Sequence, residues 1–188
     1  DYFITGKNEE IFFQLPVYFK YADEDCRGLL DIVKLDHTNK TIHPIDVKTM
    51  GDYTINFPKA LRRRRYDIQA AFYMKALETW KIENGFGDYT ILPFTFIVDS
   101  TIDPGTPLVF HCHKTLLKIG EFGRPTILLE GKVLDGLDFT TEVPYGRIEE
   151  ILGFSQLIDL YKYHMEYGFD SYKVVKDLNG ELHIDWSG

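Results

Sequence analysis

Asp31, Asp46, Lys48 and Gln69 are the residues of this chain whose types and spacing could do chemistry together. Asp31 ends Gly28-Leu29-Leu30-Asp31, Asp46 and Lys48 lie in Ile45-Asp46-Val47-Lys48-Thr49, and Gln69 lies in Tyr66-Asp67-Ile68-Gln69-Ala70-Ala71-Phe72-Tyr73. Two carboxylates that converge resist joint ionisation. A hard divalent cation with oxygen ligands, Mg²⁺ or Mn²⁺, removes that cost. Lys48 would then hold an attacking water or offset charge building on a phosphate. Gln69 and Tyr73 are spaced i, i+4 and share one face of a helix. The amide can orient water or a substrate phosphate, and the phenol can pack while its hydroxyl hydrogen-bonds. Together these residues imply metal-dependent cleavage of a phosphodiester.

The elements that must position them follow from local pattern. Strands over 27–35 and 41–49, joined by a polar turn over 36–40, form a hairpin. Alternation places Asp46 and Lys48 on one face, with Asp31 near the same end of the sheet. Leu29, Leu30, Ile32, Val33 and Leu35 are nearly continuous, which predicts a strand covered on both faces. A helix is expected over 58–83, with Pro58 in its first turn and Asn84-Gly85 as its stop. Residues 1–20 read as extended with a break at Pro16, and 21–25 as a polar loop. Further strands are expected over 90–98 and 107–114, an amphipathic helix over 147–167, and a hairpin around Asn179-Gly180. Between 115 and 143 only a short strand or turn near 127–129 is legible. The fold class is α/β, a central mixed β-sheet with helices packed on its faces, and residues 1–188 form one domain.

Composition sets the outer bounds. With 188 residues, 44% of them hydrophobic, the chain is long enough for a real core. No apolar run reaches the roughly 18 residues that span a bilayer, and no membrane association is expected. Cys26 and Cys112 are the only cysteines, so there is no disulfide framework and a cytoplasmic setting is expected. The net charge of −8 argues against a protein that coats nucleic acid with positive charge, but metal-binding carboxylates themselves lower the total. Because the chain starts at Asp1 rather than Met, it is expected to be an excised or processed segment that lacks a natural N-terminal element. No glycine-rich phosphate loop or nucleophile elbow stands out, which disfavours NTPase and acyl-transfer chemistry.

Each motif also has a plainer account. Acid-x-Lys arises about twice by chance at this composition, and Glu130-Gly131-Lys132 is a second instance. Asp46-x-Lys48 on its own would be a surface hairpin with an ion pair, and Gln69-x-x-x-Tyr73 an ordinary half-buried helix. Four consecutive arginines, 62–65, cannot share a helix face; Arg62 and Arg65 are the candidates for phosphates flanking the scissile bond, with Tyr66 on the same substrate wall and Tyr73 beyond it. His111 and His113 share a strand face, but zinc needs four ligands and no partner pair has matching spacing. His37 and His43, near the hairpin turn, read as surface residues. The aromatics of 147–167 read as core and rim.

Taken together, Arg27-Gly28-Leu29-Leu30-Asp31, Ile45-Asp46-Val47-Lys48-Thr49 and Tyr66-Asp67-Ile68-Gln69-Ala70-Ala71-Phe72-Tyr73 resemble the PD-(D/E)XK nuclease superfamily. Within its RecB-like group they are most similar to RecE-type exonucleases of phage and prophage. The resemblance covers most of residues 10–80. It implies a restriction-endonuclease-like core in which Asp31 and Asp46 bind metal, the backbone carbonyl of Val47 completes the site, Lys48 is catalytic and Gln69 assists. A further upstream ligand is usual in the family; Glu10 approximates that role, or the ligand lies outside this chain. The implied activity is Mg²⁺- or Mn²⁺-dependent hydrolysis of DNA, with RecE-type members degrading one strand of a duplex from its 5′ end to feed recombination. Duplex DNA ends, a homo-oligomer and a single-strand annealing protein are the implied partners. The rival readings are a non-catalytic DNA-end-binding module and a structure-specific endonuclease.

Overall fold

A computed structural model describes the backbone of residues 2–129, 132–134, 147–167, 172–176 and 182–186, and side chains through 123 and from 151 to 166 except 164. The elements that build the site come first in the chain. β1 (Glu9–Tyr21) and β2 (Glu24–Asp36) are joined by Ala22-Asp23, both at positive φ (49° and 67°), the two-residue turn whose twist suits a hairpin. Asp36 then accepts the backbone N–H groups of Thr38 and Asn39 and turns the chain into β3 (Thr41–Met50). A single 3₁₀ turn (Thr54–Asn56) leads into α1 (Phe57–Arg64) and α2 (Tyr66–Glu83). β4 (Thr90–Ile91), β5 (Thr95–Ser100) and β6 (Leu108–His111) follow. The strands form one six-stranded mixed sheet in the order β1-β2-β3-β5-β6, with β4 also beside β3. β3 is parallel to β4 and β5, as a crossover carrying helices requires, and the other neighbours are antiparallel.

α2 covers one face of this sheet. Its Ala76, Leu77 and Trp80 bury against Val17, Phe19, Leu30, Val33, Leu35 and Ile42, and its Ala70 joins Phe57, Leu61, Phe94, Phe96 and Val98 in a second cluster. The opposite face carries a smaller cluster of Ile32, Ile45 and Ile97 under Tyr2 and Ile11. The chain continues through α3 (Lys114–Phe122), β7 (Arg124–Leu129), β8 (Lys132–Leu134), β9 (Arg147–Ile151), α4 (Phe154–Tyr167), β10 (Tyr172–Lys176) and β11 (Leu182–Trp186). α3 packs on α2 at Gly120, where a Cβ would lie 2.1 Å from the Asp67 carbonyl oxygen, so only glycine permits that approach. The fold is α/β with a central mixed sheet flanked by helices. Among the described residues no helix is long and apolar enough to cross a membrane.

Several elements differ from the sequence expectation, each for a local reason. The helix expected over 58–83 is two helices, because Arg65 adopts the left-handed conformation (φ 55°) between them. The strand over 90–98 divides into β4 and β5 at Pro93, whose nitrogen has no hydrogen to donate to a ladder. Residues 147–151 are a strand rather than the start of a helix; they pair with β7, and Gly153 lets the chain turn close against Gly123 before α4 begins. α3 falls in the stretch that carried little pattern, and the His113 side chain caps it by accepting from Thr115 N–H. The C-terminal hairpin forms with Lys176 opposite Leu182; its turn lies outside the described residues. Neither His37 nor His43 is a free surface residue. His37 bonds Tyr89 Oη at 2.8 Å and packs on Phe86, and His43 bonds Thr95 Oγ1 at 2.8 Å, because side chains beside the turn fold back over the sheet.

The break expected at Pro16 lies two residues earlier. β1 is an edge strand, so Pro16 pairs with Leu29 without loss, whereas Gln14 sits at φ 51°. Phe12 faces α2, and so do Leu15, Val17 and Phe19; on β2, Cys26, Gly28 and Leu30 face α2, and so do Val33 and Leu35. Side-chain alternation therefore changes phase in both strands at the same level. The ladder skips Gln14 and Asp31 and resumes in unchanged register, Phe13 with Ile32 and Leu15 with Leu30. The phase change and burial on both faces together explain the nearly continuous apolar run: Val33 and Ile32 are buried on opposite faces, and Leu29 alone of the run is exposed, at 40%.

Candidate active site

Asp46 lies on the face of β3 that α2 covers and is 1% exposed. Three groups meet it. Gln69, from the first turns of α2, donates Nε2–H to Asp46 Oδ1 at 3.0 Å. Lys48, two residues along the same strand and hence on the same face, brings Nζ to 2.7 Å from Oδ2. Asp31 arrives from β2 as the position following the Ile32–Ile45 pair, and its Oδ2 accepts the Val47 N–H at 3.3 Å. Lys48 Nζ also stands 4.7 Å from the centre of the Tyr66 ring, which helps to hold the ammonium where Asp46 needs it.

The electrostatics of this group are unbalanced. Burial pushes the Asp46 carboxyl up to about 6 against the pull of Lys48, and the neighbouring Asp31 carboxylate adds to the rise. The Lys48 contact to Oδ2 lies outside hydrogen-bonding geometry, so that oxygen is buried without a hydrogen-bond donor. A buried oxygen that meets a single ammonium, next to a second carboxylate, suits a small hard cation, since Mg²⁺ binds through one or two carboxylates and keeps its remaining positions for water and substrate phosphate. Among the described residues no third His, Cys, Asp or Glu joins the pair. Two aspartates and the backbone at Val47 are the donors this chain brings to such an ion.

No protein-family model matches the chain, and no curated protein matches it in sequence. The functional reading therefore rests on the geometry.

The structure brings Asp31, Asp46, Val47, Lys48, Gln69 and Tyr66 together and distributes the other candidates elsewhere. Glu10 pairs with Leu35 in the β1–β2 ladder and contacts His37 Nε2 at 3.3 Å, four residues along the strand from the position facing Asp31. Tyr73 packs in the core against Gly28 and Phe94. Arg65 is committed to buried Asp67, with Nε and Nη2 each 3.0 Å from a carboxylate oxygen, and Arg62 is exposed on α1. Beside Lys48 a cleft of about 360 Å³ opens between α1 and the loop after β3, and its cationic walls are Lys59, Arg63 and Arg64. None of these three forms an ion pair among the described residues. Sequence reasoning missed them because a continuous helix puts Arg62 and Arg65, seven and four residues before Gln69, on the glutamine's face; the left-handed turn at Arg65 rotates α1 out of that register. Gln14 was missed as well. It donates Nε2–H to Asp31 Oδ1 at 3.2 Å, and only the phase change in the ladder, which leaves no mark in the sequence, places it there.

Proposed function

We propose that this chain is a Mg²⁺- or Mn²⁺-dependent deoxyribonuclease with a PD-(D/E)XK-type site, acting as a RecE-like 5′-to-3′ exonuclease on duplex DNA ends. One observation carries the reading: a buried aspartate held between a lysine on one oxygen and a glutamine on the other, with a second aspartate against it. A bound divalent ion would supply charge neutralisation between Asp31 and Asp46 and a Lewis acid for the phosphate. Lys48 Nζ, held beside Asp46 and over Tyr66, orients water and offsets charge that builds on the phosphate oxygens in the transition state. Gln69 fixes Asp46 through Oδ1, and Lys48 lies against Oδ2, so the carboxylate is held from both sides. Arg63, Arg64 and Lys59 line the cleft through which the flanking backbone of the substrate passes, supplying phosphate contacts that position without reading sequence. A homo-oligomer on duplex ends and cooperation with a single-strand annealing protein belong to the same proposal.

The test is cleavage of linear and of covalently closed circular duplex DNA with Mg²⁺, with Mn²⁺ and with chelator, wild type beside Lys48→Ala. Metal-dependent loss of linear DNA alone, absent in the variant, is the expected result. Cutting of circles would replace the exonuclease with an endonuclease on the same site. DNA binding with no cleavage under any condition would leave a binding module.

A further inference from the structure

The interior of a β-strand is an unusual place for a left-handed residue with a side chain. The other non-glycine residues at positive φ among those described, Ala22, Asp23, Lys40 and Arg65, lie in turns or at a helix junction; Gln14 alone lies within a paired strand. Such a conformation is unfavourable for an L-residue and persists where its surroundings require it. What it achieves here is specific. Strict alternation cannot place two consecutive residues on one face of a sheet. Leu30 is needed in the core under α2, and Asp31 is needed beside Asp46, which lies on that same face. The paired break at Gln14 and Asp31 satisfies both. The Gln14 side chain then reaches across to the carboxylate its own backbone has turned, so that one donor meets each Asp31 oxygen: Gln14 Nε2–H on Oδ1 from one side and Val47 N–H on Oδ2 from the other.

We infer that Gln14 is a positioning residue, whose left-handed backbone and side-chain amide hold the Asp31 carboxylate in the orientation that a divalent cation shared with Asp46 requires. The inference rests on the metal-site reading proposed above. A merely structural glutamine on an exposed edge would affect neither the metal affinity nor the hydrogen bond on the far oxygen of Asp31.

The experiment uses Gln14→Gly, which keeps the left-handed backbone and removes the amide, with Gln14→Asn, which tolerates that backbone and shortens the amide's reach, as the second variant. Two quantities are read: hydrogen exchange at the Val47 amide in metal-free protein, with Ile32 and Ile45 as ladder controls, and Mn²⁺ affinity by calorimetry with Asp31→Asn as reference. The expected result is faster exchange at Val47 alone and Mn²⁺ binding weakened by about 10–100-fold, the usual cost of removing a partner that orients a metal ligand. Wild-type exchange and wild-type Mn²⁺ affinity in both variants would overturn the inference and leave the nuclease reading standing. Faster Val47 exchange in a protein whose wild type binds no Mn²⁺ would remove the metal reading and still support Gln14 as the residue that positions Asp31.

Discussion

The two faces of β3 each bury a polar cluster, and the clusters have opposite characters. On the face away from α2, His43 Nε2 and His111 Nδ1 meet the fully buried Thr95 Oγ1 at 2.8 and 2.9 Å, and that hydroxyl donates to the Pro93 carbonyl at 3.1 Å. With both imidazoles as donors, the one hydrogen and two lone pairs of the hydroxyl are all used. Three residues along the strand, on the α2 face, Asp46 has one oxygen met by the Lys48 ammonium outside hydrogen-bonding geometry and faces another carboxylate. Burial drives each cluster toward its neutral form, His43 down to about 4 and Asp46 up to about 6. Burial of polar groups is therefore not what separates the two. The threonine-centred cluster has every hydrogen and lone pair used; the aspartate pair keeps two carboxylates side by side against one ammonium, the imbalance on which the proposed cation site rests. The former holds the sheet, and the latter is where chemistry is expected.

The largest expected effect comes from neutralising the aspartate pair. Asp46→Asn should reduce DNA cleavage to background while raising metal-free stability at pH 8 by on the order of 2 kcal/mol, since a buried carboxylate no longer has to ionise. A melt showing lost stability beside lost activity would make Asp46 a structural residue. The pH dependence separates the faces further. The folded-state value for Asp46 lies above its ordinary 3.8, so its contribution is present in acid and lost as pH rises toward about 6. His43 lies below its ordinary 6.5, so its contribution is present at neutral pH and lost as pH falls toward about 4. In the wild type the two slopes oppose. Denaturant melts from pH 4 to 7 should show steeper acid destabilisation in Asp46→Asn than in wild type, and the reverse slope in His43→Gln, each swing on the order of 2 kcal/mol after solvent screening.

Breaking the threonine-centred cluster should do the converse of breaking the aspartate pair. Thr95→Val strands two imidazole donors and should cost about 1–3 kcal/mol of stability with cleavage unchanged; a parallel fall in cleavage at saturating metal would show that the two faces are coupled. The smallest effect is expected at the rim. Arg63→Ala and Arg64→Ala should each lower the slope of log affinity against log salt for DNA by about 1, measured with chelator present so that nothing is cut. The same change at Arg62 and none at Arg63 would return the substrate wall to the outer side of α1.

The grouping of Asp31, Asp46, Lys48 and Gln69 is legible in the sequence because its signals are local. Strand alternation places Asp46 with Lys48, hairpin length brings Asp31 near them, and the Tyr66–Tyr73 helix brings Gln69. What escaped the sequence depends on single backbone angles or distant partners. Periodicity cannot register one left-handed residue, so Arg65 and Gln14 passed as helix and strand, and with them went the true facing of the arginines. The five residues of Arg147–Ile151 are too few to separate helical from strand periodicity, and pairing with β7 makes them a strand. The strand expected over 107–114 ends at His111, so His111 and His113 do not share a strand face; His113 caps α3 instead.

The doubled interruption at Gln14 and Asp31 bears on how this hairpin tolerates insertion and deletion. Excising residue 14 alone leaves Asp31 as an unmatched bulge, and excising residue 31 alone does the same to Gln14. Removing both joins Phe13 to Leu15 and Leu30 to Ile32, and the remaining side chains then alternate without fault along the whole ladder. The shortened hairpin would be the more regular one, with its core intact and its acid gone. Within this pair of strands, two residues that the sheet could discard are the ones its proposed chemistry cannot.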